Sequence, residues 1–333
     1  MGLNIREIIP KHPIEISSLK GKIVAVDAFN ALYQFLSSIR QYDGTPLQDK
    51  KGDTTSHLSG LFYRNISLLS EGLKLVYVFD GTPPALKLKT REKRIETKNI
   101  AKEKFEEAKE KEDYGAMRKY SQQLAKIDDK MIEESKELLI AMGIAIVQAP
   151  GEGEAEASWL AKNKKVYAVA SQDYDCLAFG TPRLIQNLTL ARKRKTVSGY
   201  IEVKPEIIEL EKVLNTLQIS QEQLISLGIL VGTDYNIGGV KGLGQKRALE
   251  MVRKYKQPTL IFDKIDEMDF DWKEIFQLFK QPNVGNGEFE FPELNKNKIK
   301  EILMSHDFSE ERIDKQLEKL EDAKEKQKQK TLF

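Results

Sequence analysis

Four runs of branched and apolar residues stand out from an otherwise polar chain: KIVAVDAF (residues 22–29), KLVYVFD (74–80), GIAIVQAP (143–150) and VYAVAS (166–171). Each is short and bounded by turn formers or acids, which predicts buried strands. Between them apolar positions recur at helical spacing. ALYQFLSSIRQ follows the first strand, SHLSGLFYRNISLLSEG follows a cap at Thr54 or Thr55, and residues 131–142 form an amphipathic helix. A further helix opens at Glu152-Gly153-Glu154 and carries Ala155, Ala157, Trp159 and Leu160. Strand, helix, strand, helix with branched strands predicts an α/β fold: a mostly parallel twisted sheet with helices on both faces.

The rest of the pattern is weaker. A polar lead-in precedes Lys22, short strands are expected at residues 183–189 and 198–203, and Arg192-Lys193-Arg194-Lys195 reads as a solvated hairpin tip. Pro205 is expected to start a helix and residues 221–231 another, with a loop at 281–287 and polar helices to about Lys324. Residues 85–130 are dense in Lys, Arg and Glu and show helical propensity without a core-facing stripe.

The strands share one feature that bears on chemistry, since they end in acids. Asp27 and Asp80 close the first two, Glu152 and Glu154 follow the third, Asp173 and Asp175 the fourth, and Asp234 follows Gly232 after the helix at 221–231. In an open α/β sheet ligands bind outside the carboxyl ends of the strands. First-turn acids also stabilise a helix dipole by about 0.3–1 kcal/mol each, so spacing alone leaves Glu152 and Glu154 open to both readings. Convergence of Asp27, Asp80 and Asp234 on the same rim favours a metal site. Oxygen-only donors suit Mg²⁺ or Mn²⁺, and two ions roughly 3.5–4 Å apart can drive phosphodiester hydrolysis. The residues therefore point to a metal-dependent nuclease.

Composition narrows the alternatives. The chain has 333 residues, enough for one large domain or two ordinary ones, and 53 Lys and Arg against 51 Asp and Glu leave a net charge of +2. Affinity for nucleic acid must then come from local clustering of cations. The strongest cluster is Gly238-Gly239-Val240-Lys241-Gly242-Leu243-Gly244-Gln245-Lys246-Arg247, a glycine turn opening a basic helix, where backbone N–H groups can meet phosphate. A single cysteine, Cys176, excludes a disulfide framework and a cysteine zinc site, and His12, His57 and His306 are too scattered in sequence to suggest a histidine-based centre. No apolar run approaches the roughly 20 residues that span a bilayer, no signal peptide is evident, and Arg6 breaks the myristoylation pattern. An intracellular protein of the cytoplasm or nucleoid, or of the nucleus in a eukaryote, with no membrane partner is expected.

VDAFNALYQFL, TSHLSGLFYRNI, VYVFDGTPPALK, APGEGEAEAS, SQDYDCLAFG, LVGTDYN and GVKGLGQKRAL, in that order, resemble the flap endonucleases of the structure-specific 5′ nuclease family, in particular archaeal ones, over essentially the whole chain. The resemblance implies a PIN/5′-nuclease-like sheet, a helical arch above the active site and a helix-two-turn-helix DNA-binding unit. It implies 5′-flap endonuclease and weaker 5′–3′ exonuclease activity, in Okazaki-fragment maturation and base-excision repair. Two Mg²⁺ ions would serve, with Mn²⁺ able to substitute: Asp27, Asp80, Glu152 and Glu154 match one ion's ligands and Asp173, Asp175 and Asp234 the other's. Lys87 and Arg94 match cations that engage the scissile phosphate, and Tyr33 an aromatic near the reacting nucleotide. Arg40, Arg64, Glu152, Gly232, Asp234, Gly242, Gly244, Lys246 and Arg247 fall at DNA-contacting positions.

The implied organisation is a nuclease region at residues 1–98, an arch at 99–130, a nuclease region with the glycine hairpin at 131–258, a helical region at 259–325 and a clamp-binding tail at 326–333. In that tail Gln329, Leu332 and Phe333 begin a motif for a sliding clamp of the PCNA type, without the motif's terminal aromatic pair. Other readings are a different 5′ nuclease of the superfamily, a non-catalytic branched-DNA binder or clamp adaptor, and a haloacid-type phosphatase. The phosphatase lacks its second aspartate, since Phe29 stands there.

Overall fold

The computed structural model describes residues 3–190, 193–196 and 199–330. Its strands are β1 (His12–Pro13), β2 (Ile23–Asp27), β3 (Lys74–Phe79), β4 (Ala145–Gln148), β5 (Ala168–Ala170), β6 (Arg183–Gln186), β7 (Lys193–Thr196), β8 (Gly199–Glu202) and β9 (Glu206–Glu209). Seven of them form one mixed sheet in the order β1-β9-β6-β5-β2-β3-β4. The five strands from β6 to β4 run parallel, and β9 and β1 add antiparallel at the edge.

Alternation within the strands builds two cores. Val24 and Val26 of β2, with Leu75, Tyr77 and Phe79 of β3, face α1 (Ala28–Ser38), α2 (Ser56–Ser70) and α5 (Asp129–Ala141). Ala25, Val76 and Val78 face the other way, towards α6 (Gly153–Lys162), α7 (Asp175–Ala178) and α9 (Gln221–Val231). Helix α8 (Leu210–Leu217), α10 (Gln245–Tyr255), α11 (Pro258–Phe262) and α12 (Trp272–Lys280) complete the second layer, and α13 (Lys296–Ser305) and α14 (Glu310–Lys330) the first.

Several expectations change. Pro205 leads into strand β9, not a helix, because Ile207 is paired between β1 and β6 and Ile208 is buried against Leu184 of β6. Lys193–Thr196 is a strand paired with β8, so the basic run is not a hairpin tip; Arg192 itself lies outside the described residues. The polar lead-in buries Leu3 and Ile5. The polar end of the chain has an apolar stripe, with Ile313, Leu317 and Leu320 of α14 buried at helical spacing.

The basic segment forms α3 (Leu88–Glu110) and α4 (Tyr114–Gln123), which pack on each other with Ala101, Ala108, Met117 and Ser121 buried. Three of these four are small, so the stripe leaves little apolar signal in the sequence. α3 runs unbroken through the expected boundary at residues 98/99. Two of the histidines also come together: His57 Nε2 and His306 Nε2 lie 3.2 and 3.3 Å from the two oxygens of Glu134, tying α2 and α5 to the α13–α14 corner.

Candidate metal centre

The carboxyl ends of the parallel strands form one acidic rim. Asp27 ends β2 and caps α1, its Oδ1 accepting from the Asn30 N–H (3.0 Å) and its Oδ2 from the Ser171 hydroxyl (3.1 Å). Asp80 follows β3, and its Oδ1 accepts from the Gly153 N–H at 2.6 Å. Gly153 opens α6 so close to this acid that a Cβ would sit 2.7 Å from Asp80 Oδ1, which explains glycine between two glutamates. Asp175 Oδ1 accepts from the Leu3 N–H (3.0 Å), and Asp173 Oδ1 from the Asp175 N–H (3.2 Å).

Carboxylate oxygens of Glu154, Asp173 and Asp175 all lie within 4.8 Å of one another. Glu154, grouped by the resemblance with Asp27, Asp80 and Glu152, thus also faces Asp173 and Asp175, and the charge of Asp27 acts on it as well. Glu152 is the extended N-cap of α6 and Glu154 lies in its first turn, so the two side chains leave the backbone in different directions, Glu154 towards Asp173 and Asp175 and Glu152 towards Lys87 and Tyr235. There Glu152 accepts from the Tyr235 hydroxyl and pairs with Lys87, whose Nζ also lies 3.7 Å from Asp234 Oδ2. Lys87 ends a one-turn 3-10 helix (Ala85–Lys87) that leads into α3.

Burial and mutual repulsion dominate the electrostatics. Asp27 is pushed up to about 7, first by burial and then by the charge of Asp80. Burial followed by the neighbouring acids Asp173, Asp175 and Asp27 lifts Glu154 well above its usual range, and burial with Asp173 and Asp234 does the same to Asp175. Asp80, Glu152 and Asp173 are raised as well, mainly by burial. Burial alone would lower Lys87, but Glu154, Glu152 and Asp234 outweigh it and hold the ammonium charged. Buried, oxygen-only donors that repel one another fit divalent cations, which neutralise them together.

A measurable stability profile follows. Carboxylates with raised folded-state pKa values bind more protons folded than unfolded, so stability falls as pH rises from the unfolded range near 4 through about 7 for Asp27. In EDTA the melting temperature is expected to drop between pH 5 and pH 8. A divalent cation should raise it more at pH 8 than at pH 5. A flat profile in EDTA would contradict the buried cluster.

The other candidate residues occupy separate ground. Gly232 ends α9 at φ +103°, packed so that a Cβ would meet the Gly239 backbone N at 2.7 Å. Gly242 and Gly244 face open space, with Lys246 and Arg247 exposed in the first turn of α10. Arg40 is half-buried and engaged internally, its Nη1 donating to Gly44 O (2.7 Å) and Ser121 Oγ (3.1 Å), which docks α4 onto the turn after α1. Arg64 is half-buried on α2 and burial lowers its pKa. Tyr33 is 42 % exposed, with Lys98 Nζ 5.9 Å from its ring centre. Arg94 lies on α3 and Gln329 on α14, but their side chains, like Leu332 and Phe333 altogether, lie outside the described residues. Sequence reasoning missed Leu3, Ser171 and Tyr235. The last two stand inside motifs where only the carboxylates were read, and Leu3 was signalled by the apolar positions Leu3 and Ile5.

Comparison with known proteins agrees with this geometry. Residues 4–101 match the XPG N-terminal domain and residues 143–234 the XPG I-region. The chain is 52% identical to flap endonuclease 1 of Pyrococcus furiosus, covering 100% of this chain and 98% of that protein. It is 50% identical to flap endonuclease 1 of Hyperthermus butylicus, covering 97% and 95%. Among solved structures, the flap endonuclease-1 of Methanococcus jannaschii superposes with a TM-score of 0.77 at 43% identity, covering 97% and 98%. The catalytic core of Rad2 in complex with DNA substrate shares the fold at 23% identity and TM-score 0.68, covering 96% and 100%.

Proposed function

The chain belongs to the flap endonuclease 1 family, and from that premise we propose how its residues divide the work of cutting a 5′ flap. It is a structure-specific nuclease that hydrolyses phosphodiester bonds of flapped DNA. The observation that carries the reading is the meeting of Glu154, Asp173 and Asp175, the last buried and the first two partly so, beside the Lys87 ion pair. Asp27, Asp80, Glu152 and Glu154 with Asp173, Asp175 and Asp234 hold the cations, two Mg²⁺ in our reading, with Mn²⁺ able to substitute. Bound there, the ions supply an activated water and stabilise the leaving oxygen.

The protein's own groups do the rest. Lys87 stands at the rim at the end of the short 3-10 helix that leads into the arch, where its ammonium can leave Glu152 for a phosphate oxygen, and Arg94 follows two turns further on, in α3. The exposed face of Tyr33 offers a stacking surface to an unpaired base. Lys241, Lys246 and Arg247 with the amides of Gly242 and Gly244 hold the duplex backbone at the N-terminus of α10, and Arg40 and Arg64 add contacts. The α3–α4 pair serves as the arch through which the flap passes. Gln329, Leu332 and Phe333 form a docking tail for a sliding clamp, and Okazaki-fragment maturation and base-excision repair are the settings for such a cut.

Gel-resolved cleavage of labelled flap, nick, hairpin and bubble substrates tests the assignment. With Mg²⁺ the flap is expected to be cut near the junction, far faster than the others, leaving a 5′-phosphate and a 3′-hydroxyl. A preference for bubbles or for nicks would move the chain to another branch of the superfamily, and binding without cleavage would make it an adaptor. No helix among the described residues is long and apolar enough to cross a membrane.

A further inference from the structure

We propose that Glu156 is a positioning residue for the metal-binding helix: its buried carboxylate grips the loop after α12 and thereby fixes the pose of Glu152 and Glu154. Glu156 is fully buried on α6, with Oε2 accepting from the Gly285 N–H at 2.5 Å, across 129 residues of sequence. Its Oε1 is also buried and meets no hydrogen-bond donor among the described residues. A carboxylate buried with one donor is a costly way to fill a core position that leucine could fill. The acceptor is what the position uses.

The grip reaches the metal ligands by short routes. The backbone N–H of Glu156 donates to the carbonyl of Glu152 at 3.1 Å, the first hydrogen bond of α6, so what holds the side chain of Glu156 also holds the residue that carries Glu152. The loop itself, residues 281–287, abuts the turn before Glu152. Asn283 O lies 2.9 Å from where a Cβ on Gly151 would stand, and Gly151 O accepts from the Gly81 N–H (2.6 Å) next to Asp80. At the loop's far end Lys165 Nζ donates to the carbonyls of Asn286 (2.8 Å) and Gly287 (3.1 Å). Upstream, Phe279 of α12 packs edge-on against Tyr235 at 5.3 Å, and the Tyr235 hydroxyl donates to Glu152. One C-terminal segment thus braces α6 from two sides. Groups that hydrogen-bond a metal ligand directly typically contribute 10- to 100-fold to metal affinity, and Glu156, one contact further out, is expected at the lower end of that range.

The inference rests on the metal-dependent nuclease reading. Its test compares Glu156→Leu, which has no acceptor, with Glu156→Gln, whose amide oxygen can still take the Gly285 N–H. Direct Mn²⁺ binding without DNA and the cation concentration for half-maximal flap cleavage are both measured. Glu156→Leu is expected to weaken Mn²⁺ binding and raise that half-maximal concentration by about 10-fold, with flap affinity in EDTA unchanged. Glu156→Gln should restore both. A folded Glu156→Leu protein with wild-type Mn²⁺ affinity overturns the proposal, as does a Gln variant as impaired as Leu. If Glu156→Leu does not fold, Lys165→Ala loosens the same loop from its other end. It is expected to weaken Mn²⁺ binding in the same direction by less, and an unchanged affinity there overturns the proposal. Wild-type protein that binds Mn²⁺ but leaves the flap intact would sink the nuclease reading instead, and the Mn²⁺ comparison would still judge the grip.

Discussion

Asp175→Asn is expected to lower flap cleavage by at least about 10³-fold, close to 4 kcal/mol in the barrier, while making the metal-free protein more stable. The asparagine keeps an oxygen for the Leu3 N–H and nearly the same shape, so the N-terminal segment stays docked. What disappears is one negative charge at a site where burial and Asp173 already oppose it. Without metal that charge is a liability, and its loss should raise the melting temperature in EDTA at pH 8, by roughly 1–2 °C for each kcal/mol relieved in a chain of this length. With Mg²⁺ the order should reverse, because the variant has lost a ligand and gains less from the cation. Flap binding in EDTA should survive. Retained cleavage would show that Asp175 holds no metal, and a lower melting temperature in EDTA would show that the acids do not repel one another as the geometry implies.

Lys87→Ala is expected to cut the rate by about 10²–10³-fold, the usual loss when a charge aimed at the reacting phosphate is removed. Its stability signature is opposite to that of Asp175→Asn. Lys87 is the cation paired with Glu152 and drawn to Asp234, so its removal leaves those acids less compensated. The metal-free protein should melt lower, and the rise in melting temperature on adding Mg²⁺ should exceed that of wild type. Lys87→Arg keeps the charge but spreads it over a planar group, and should restore stability more fully than rate. Identical Mg²⁺ shifts in wild type and Lys87→Ala would mean that Lys87 does not share the acids with the metal.

The fold was legible wherever a strand was long and branched. β2, β3, β4 and β5 and the helices packed on them follow from apolar period and turn residues, because burial on both faces leaves little choice of residue. It was not legible where pairing is decided at a distance. β9 is two isoleucines between glutamates, and only β1 and β6 on either side make it a strand. The acids of the rim could be read singly from their strand ends. Their spatial neighbours could not, because which acids face Glu154 depends on where α6 begins and on the tight approach of Gly153 to Asp80. Contacts made by backbone atoms, such as the Leu3 N–H on Asp175 or the Gly285 N–H on Glu156, leave no mark in residue identity at the donor.

The order of strands in the sheet also bears on when the chain becomes dangerous to the cell. β2 lies at the centre between β3 and β5, and the rim draws on residues from Asp27 to Asp234. A ribosome releasing this chain from its N-terminus delivers Asp27 and Asp80 early, but the loop of Asp173 and Asp175 and then the hairpin of Asp234 come much later. A nascent polypeptide therefore carries scattered acids and an incomplete rim until well past its midpoint, and a product that ends before Asp234 lacks one of the seven acids.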